Sequence, residues 1–197
     1  MKILITGFEP FGTVSDNPSQ RIVEHIGKQN NPAIITQTLP VDYATAGEKL
    51  IHLIDTHQPS AILLLGVAAK RETIALERIA VNINDARIPD NAGNAVKGEK
   101  IAENAPVGYW STLPLDRFHP AVAEVDITVS YSNHAGAYLC NHVFYRARHH
   151  LETTNRADVP CGFIHVPSIE AVSLDEQIQA IQACVNILLK ESLLQDA

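Results

Sequence analysis

Short apolar runs that alternate with amphipathic segments constrain this chain more than any other feature. KILIT (2–6), AIITQTL (33–39), SAILLLG (60–66), DITVSY (126–131) and CGFIHV (161–166) read as strands. Their apolar residues follow one another instead of alternating with polar ones, the pattern of strands in sheets covered on both faces. Helical segments are expected between them at 18–29, 43–57, 114–123, 137–150 and 174–194. Asn17 before Pro18 places a capping side chain ahead of a proline at the first helical position. Ser173 with Glu176 fits a capping box at the start of the last helix. Strands alternating with helices predict an α/β fold, its sheet mostly parallel and flanked by helices on both faces. In such folds a ligand site usually lies outside the carboxyl ends of the strands. No repeat or linker-like stretch interrupts the 197 residues, so one domain is expected.

Residues 72–100 break the alternation. ETIALERIAVNI reads as a strand pair or one long strand, and the polar stretch NDARIPDNAGNAVKGEK follows it. Such a long connection in a compact domain points to function.

Composition narrows the functional classes. A formal charge of −7 with no Lys/Arg cluster argues against a nucleic-acid surface. No apolar run is long enough to span a bilayer. The N-terminal apolar run is broken by Thr6 and Gly7, too early for a signal peptide, so cytoplasmic residence is the default expectation. Cys140, Cys161 and Cys184 are an odd number without C-x-x-C spacing, which suggests free thiols in a reducing compartment.

Four places invite chemistry. Cys140 falls in AGAYLCNHVFYRARHH, where Cys140, Val143, Phe144, Ala147 and Leu151 follow a core-facing helical stripe. It reads as a buried structural thiol, as half of a metal pair with His142, or as a nucleophile in the first turn after Gly136. At a helix start the macrodipole and free N–H groups lower a thiol's pKa, and the same amides can hold an oxyanion. The metal reading lacks further ligands at suitable spacing, so no metal is expected. His149 and His150 are expected on solvent at the helix end.

His165 ends the strand GFIHV before Pro167 and shares a face with Phe163, while Ile164 and Val166 share the other. It is a satisfied core histidine or a base at a strand's carboxyl end. Glu77 shares an alternating face with Ala75, Ile79, Val81 and Ile83, where an ionised carboxylate needs a partner. Arg71, Arg87 or a histidine could supply one. A cysteine, a histidine and a carboxylate are the parts of a thiol-hydrolase triad. GFEPFG (7–12) follows the first strand but lacks the Lys and Ser/Thr of a phosphate loop. Phe8 and Phe11 there either wall an apolar site or simply pack beneath the loop.

Four blocks in order, GFEPFG with NPS, ERIAVNINDARIPDNAGN, AGAYLCNHVFY and GFIHVP, resemble the pyroglutamyl peptidase type I (pyrrolidone-carboxylate peptidase) family over most of the chain. The resemblance implies a three-layer α/β/α sandwich and cleavage after an N-terminal pyroglutamyl residue. It also implies a Cys-His-Glu triad, no cofactor and commonly a homotetramer. By motif position the nucleophile is Cys140, the histidine His165 and the glutamate Glu77. The resemblance further suggests Phe8 and Phe11 around the lactam ring and Asn17 as a polar contact. It sets Arg87 near the oxyanion region, with the Cys140 amide as donor there. GVAAKR places Val67, Ala69 and Lys70 where the family commonly has a glutamine and a glycine pair, so Val67 enters the pocket rim and Arg71 is retained. Two alternatives share the fold: a thiol amidase acting on another lactam or small amide, and a non-catalytic small-molecule binder.

Overall fold

The computed structural model describes residues 2–12 and 16–195. In chain order the elements are β1 (Ile3–Phe8), α1 (Pro18–Lys28), β2 (Ile34–Leu39), α2 (Ala46–His57), β3 (Ala61–Val67), β4 (Ile74–Glu77) and β5 (Ile79–Val81). There follow β6 (Gly108–Trp110), α3 (Leu115–Ala123), β7 (Val129–Ser132), α4 (Leu139–Thr153), β8 (Cys161–Val166) and α5 (Leu174–Gln195). A six-stranded sheet runs in the order β2-β1-β3-β8-β4-β7. Its β2, β1, β3 and β8 pair in parallel, and β4 pairs antiparallel to β8 but parallel to β7. The sheet is therefore mixed.

Two cores cover its faces, as successive apolar residues in the strands require. Ile3, Ile5, Leu63, Ile164 and Val166 pack against α1, α3 and α5 through Ile22, Phe118, Ile181 and Val185. Leu4, Ile62, Leu64 and Phe163 pack against α2 and α4 through Leu50, Ile54, Val143 and Phe144. Each of these side chains is buried, and each contributes roughly 1.5–3 kcal/mol of apolar transfer. The result is a three-layer α/β/α sandwich.

Both helix-start signals are realised. Ser19 N donates to Asn17 Oδ1 at 3.1 Å. Ser173 N donates to Glu176 Oε2 at 3.0 Å, and Glu176 N donates back to Ser173 Oγ at 3.3 Å. α2 begins at Ala46 instead of residue 43, because Asp42 first closes a turn by accepting from Ala44 N and Thr45 Oγ1. The strand expected at 126–131 starts only at Val129. Asp126 takes φ 60° and donates its N–H to Ala123 O, a turn that ends the α3 segment first.

The segment after residue 72 differs most from its sequence reading. β4 is buried at all four positions inside the main sheet, whereas β5 leaves that sheet to pair antiparallel with β6. The chain changes sheets at the exposed Arg78, so Ala75, Glu77, Ile79, Val81 and Ile83 do not share one face. Three-residue β6 carries no strand pattern of its own. Gly108 suits it because a Cβ there would stand 2.7 Å from Ala80 O across the pair.

Candidate active site

Strand register gathers the site at the carboxyl edge of the sheet. Gly66 on β3 stands beside His165 on β8, and Ala75 on β4 stands on the other side of His165. Glu77, two residues further along β4, reaches back so that its Oε1 lies 2.7 Å from His165 Nδ1. The same oxygen lies 3.2 Å from an Arg71 guanidinium nitrogen. Glu77 is fully buried and His165 nearly so. Burial alone would push the Glu77 carboxyl up. The hydrogen bond and charge of His165, with Ser132 and Arg71, outweigh it and hold the group below the usual carboxylate range. An unpaired charge in that position would cost about 3–5 kcal/mol, so the ring is fixed with Nδ1 on the carboxylate and Nε2 free to face elsewhere.

Cys140 is the second residue of α4. Tyr138 caps the helix without a side-chain hydrogen bond, so the first-turn amides keep their N–H groups unclaimed by a cap. The sulfur lies over Gly66: a Cβ on that residue would stand 2.8 Å from Cys140 Sγ and 2.7 Å from Phe163 Cζ. Glycine at the end of β3 is what lets the thiol reach the histidine strand. Cys140 is partly exposed, and Cys161 and Cys184 are buried. Atoms nevertheless crowd its sulfur, so burial, and then the Glu77 charge, push the thiol up to about 12. This corrects the expectation of a thiol acidified by the helix start. The residue's own backbone N–H pulls the value down, but less than desolvation raises it.

The expected substrate residues divide between two hollows. A narrow apolar cavity of about 10 Å³ is walled by Phe8, Phe11, Val41, Val67, Tyr138 and Cys140, with Asn17 at its edge. Arg87 belongs instead to a wide cleft of about 640 Å³, which also has His165, Gly136 and Tyr138 in its wall. Tyr138 borders both. Phe8 is buried and Phe11 half-buried, so the two phenylalanines both pack beneath the loop and face the cavity. Asn17 is fully buried, and most of its polar capacity is spent inside the protein. Its Oδ1 accepts from Ser19 N and Ser19 Oγ, and its Nδ2 donates to Glu9 O. It holds GFEPFG against α1, an arrangement completed by Phe8 N donating to Ser19 Oγ at 3.0 Å.

Several positioning residues escaped the sequence reading. Asn141 acts as a surrogate strand, accepting from Val81 N and donating to Val81 O and Ile83 O. Its signal was a polar amide on a helix flank that otherwise enters the core. His142 turns to Asn84, with Nδ1 to Oδ1 at 3.1 Å, and its Nε2 lies buried close to Gly47. Burial, with Arg146, lowers His142 to about 4. The long polar loop is tied down by buried Asp90, which accepts from Tyr43 N, Ala92 N and Asn94 N. Asn91 fastens it to Glu9 and Pro10, and Tyr138 Oη donates to Pro89 O. His149 and His150 are half-buried and engaged, not solvent-facing as expected: His149 Nδ1 meets Tyr109 Oη at 2.8 Å and His150 Nε2 meets Asp55 at 2.7 Å.

A doubly covered α/β sheet with a thiol at a helix start and a carboxylate-anchored histidine at the adjoining strand end defines a class, the thiol-bearing hydrolase-like α/β proteins. The pyroglutamyl peptidase family model matches residues 1–191, and the chain belongs to that family. The pyrrolidone-carboxylate peptidase of Oceanobacillus iheyensis is 41% identical over 198 residues, covering 95% of this chain and 98% of that protein. That of Pyrococcus furiosus is 36% identical, covering 98% of this chain and 100% of its own. A solved structure of a mutant P. furiosus pyrrolidone carboxyl peptidase superposes with TM-score 0.91 at 35% identity, over 97% of this chain and 99% of that one. Pyroglutamyl peptidase I of Bacillus amyloliquefaciens gives TM-score 0.87 at 34% identity, over 93% and 94%.

Proposed function

We propose that the protein is a cysteine omega-peptidase that hydrolyses the amide bond after an N-terminal pyroglutamyl residue. One observation carries the reading within this family: the thiol borders the apolar cavity, and the histidine borders the open cleft beside it. The lactam ring enters the cavity between Phe8, Phe11 and Val67, which puts the exocyclic carbonyl carbon of the pyroglutamyl residue, the one bonded to the leaving amine, at Cys140. The cavity is narrow, so half-buried Phe11 or Tyr138 must yield as the ring enters. His165 takes the thiol proton as sulfur attacks and returns it to the leaving amine, and Glu77 stabilises the imidazolium between those steps. The high thiol pKa favours proton transfer during attack over a preformed thiolate. The Cys140 amide receives the oxyanion, and Arg87 is assigned a substrate contact from the cleft wall. Water then hydrolyses the thioester.

No helix among the described residues is long and apolar enough to cross a membrane. By family resemblance we assign the peptidase to the cytoplasm and to a homotetramer. The test compares fluorogenic pyroglutamyl and prolyl amides. Proline carries an ammonium that would lose its hydration in an apolar cavity, and it lacks the lactam oxygen. The expected preference for pyroglutamyl is at least about 100-fold in kcat/KM. Comparable rates would remove the lactam-pocket reading.

A further inference from the structure

We propose that the open cleft beside His165 selects substrates with an acidic side chain directly after the pyroglutamyl residue, and that Lys70 is the main determinant. The inference rests on the peptidase reading above. If His165 returns its proton to the leaving amine, the leaving peptide must lie on the side of the cysteine where His165 lines open space. That side is the cleft of about 640 Å³, and its size accommodates peptide residues where the ring cavity does not.

The charged side chains in the cleft wall are Lys70, Arg71, Arg87 and Asp85, beside the imidazoles of His134 and His165. Arg71 is already committed, with its guanidinium on Glu77, Ser132 Oγ and His134 O. Asp85 stands 4.0 Å from Lys97 Nζ, so its charge is partly offset. Lys70 and Arg87 are exposed, and neither forms an ion pair among the described residues. Gly136 N donates to His134 Nδ1, which leaves the ring N–H on Nε2 as a donor. The cleft thus holds two uncommitted cations from separate loops against one carboxylate, Asp85, whose charge Lys97 partly offsets. An excess of one sign between protein walls focuses its field on a ligand of the opposite charge. Lys70 follows the carboxyl end of β3, four residues after Gly66, the residue over which the Cys140 sulfur lies. Arg87 reinforces it from the loop after β5.

The test uses three peptides with amidated C-termini, so that only the side chain in question differs: pyroglutamyl-Glu-Ala, pyroglutamyl-Gln-Ala and pyroglutamyl-Lys-Ala amides. The expected order of kcat/KM is Glu, then Gln, then Lys. The Glu-to-Lys ratio should be about tenfold at low ionic strength and fall to about twofold in 0.5 M salt, because exposed charges are screened. Lys70→Gln should shrink the ratio and Lys70→Glu should bring it to one or below. The ratio is taken within each variant, so changes in overall turnover cancel. Equal rates for the three peptides, or a ratio that both variants leave intact, overturn the inference while pyroglutamyl cleavage stands. Failure to cleave any of them, together with an uncharged pyroglutamyl aminomethylcoumarin amide, would overturn the peptidase reading as well.

Discussion

Two helix starts face the same edge of the sheet and are finished in opposite ways. α1 is closed: Asn17 caps it, Ser19 returns a hydroxyl to Phe8 N, and Asn17 Nδ2 holds Glu9 O. A Cβ at Gly7 would stand 2.3 Å from Ser19 O, so β1 and α1 touch backbone to backbone. α4 is open: Tyr138 supplies no side-chain cap, and Cys140 occupies the first turn. The contrast shows where stability has been given up for chemistry. A missing cap costs about 1 kcal/mol and leaves first-turn amides able to receive an anionic group.

The comparison breaks most sharply at Cys140. Cys140→Ser should lose about 10³-fold or more in turnover on a pyroglutamyl amide while its circular dichroism stays that of the parent, because a hydroxyl is far less acidic than a thiol. Turnover above a few per cent of the parent's would remove Cys140 as nucleophile.

Gly66→Ala comes next. Its methyl would overlap both Cys140 Sγ and Phe163, and displacement of a reacting group by about 1 Å costs on the order of 100-fold. Near-normal kcat would mean that the sulfur has room elsewhere. Glu77→Gln should lower kcat by about tenfold or more with a smaller change in KM, since the amide can still hold the ring but cannot offset its charge. An unchanged kcat would reduce Glu77 to a structural partner of Arg71.

The closed helix start should respond differently. Asn17→Ala should destabilise the fold by about 1–2 kcal/mol in urea unfolding, through the lost cap and the loosened GFEPFG loop. Its effect on kcat should be smaller than that of Glu77→Gln. A large activity loss without loss of stability would instead make Asn17 a substrate contact.

The mildest effect separates the dipole expectation from the burial found. With a free-enzyme pKa of about 12, Cys140 alkylation by iodoacetamide should keep rising with pH through 9 and beyond. The sign follows from a raised acid: the neutral thiol dominates below that value, and thiolate gains about tenfold per pH unit until it is reached. Rates read by mass spectrometry that level off near neutrality would show a preformed thiolate-imidazolium pair.

Much of this was legible beforehand. Apolar runs placed five strands of the main sheet within a few residues, because a strand buried on both faces needs unbroken apolar side chains. The caps at Asn17 and Ser173 were readable for a similar reason, since capping is settled by a few neighbouring residues. Glu77 announced itself as a carboxylate in apolar surroundings. Its partners stood only as candidates, Arg71, Arg87 or a histidine, with His165 implied by the family resemblance, because the antiparallel pairing of β4 with β8 that carries Glu77 to His165 joins distant segments. The change of sheet at Arg78 was hidden because the alternation of residues 75–83 is the same whether or not the chain switches sheets.

The sequence by itself determined which residue types sit at strand ends and helix starts, since periodicity and capping are local. Only the tertiary structure decided how they act on one another. Gly66 makes room for a sulfur 74 positions away in the chain. Crowding around that sulfur reverses the expected direction of its pKa, and Cys140 and His165 come to border two separate hollows. Desolvation and close approach depend on atoms brought together from distant segments, and no local pattern encodes them.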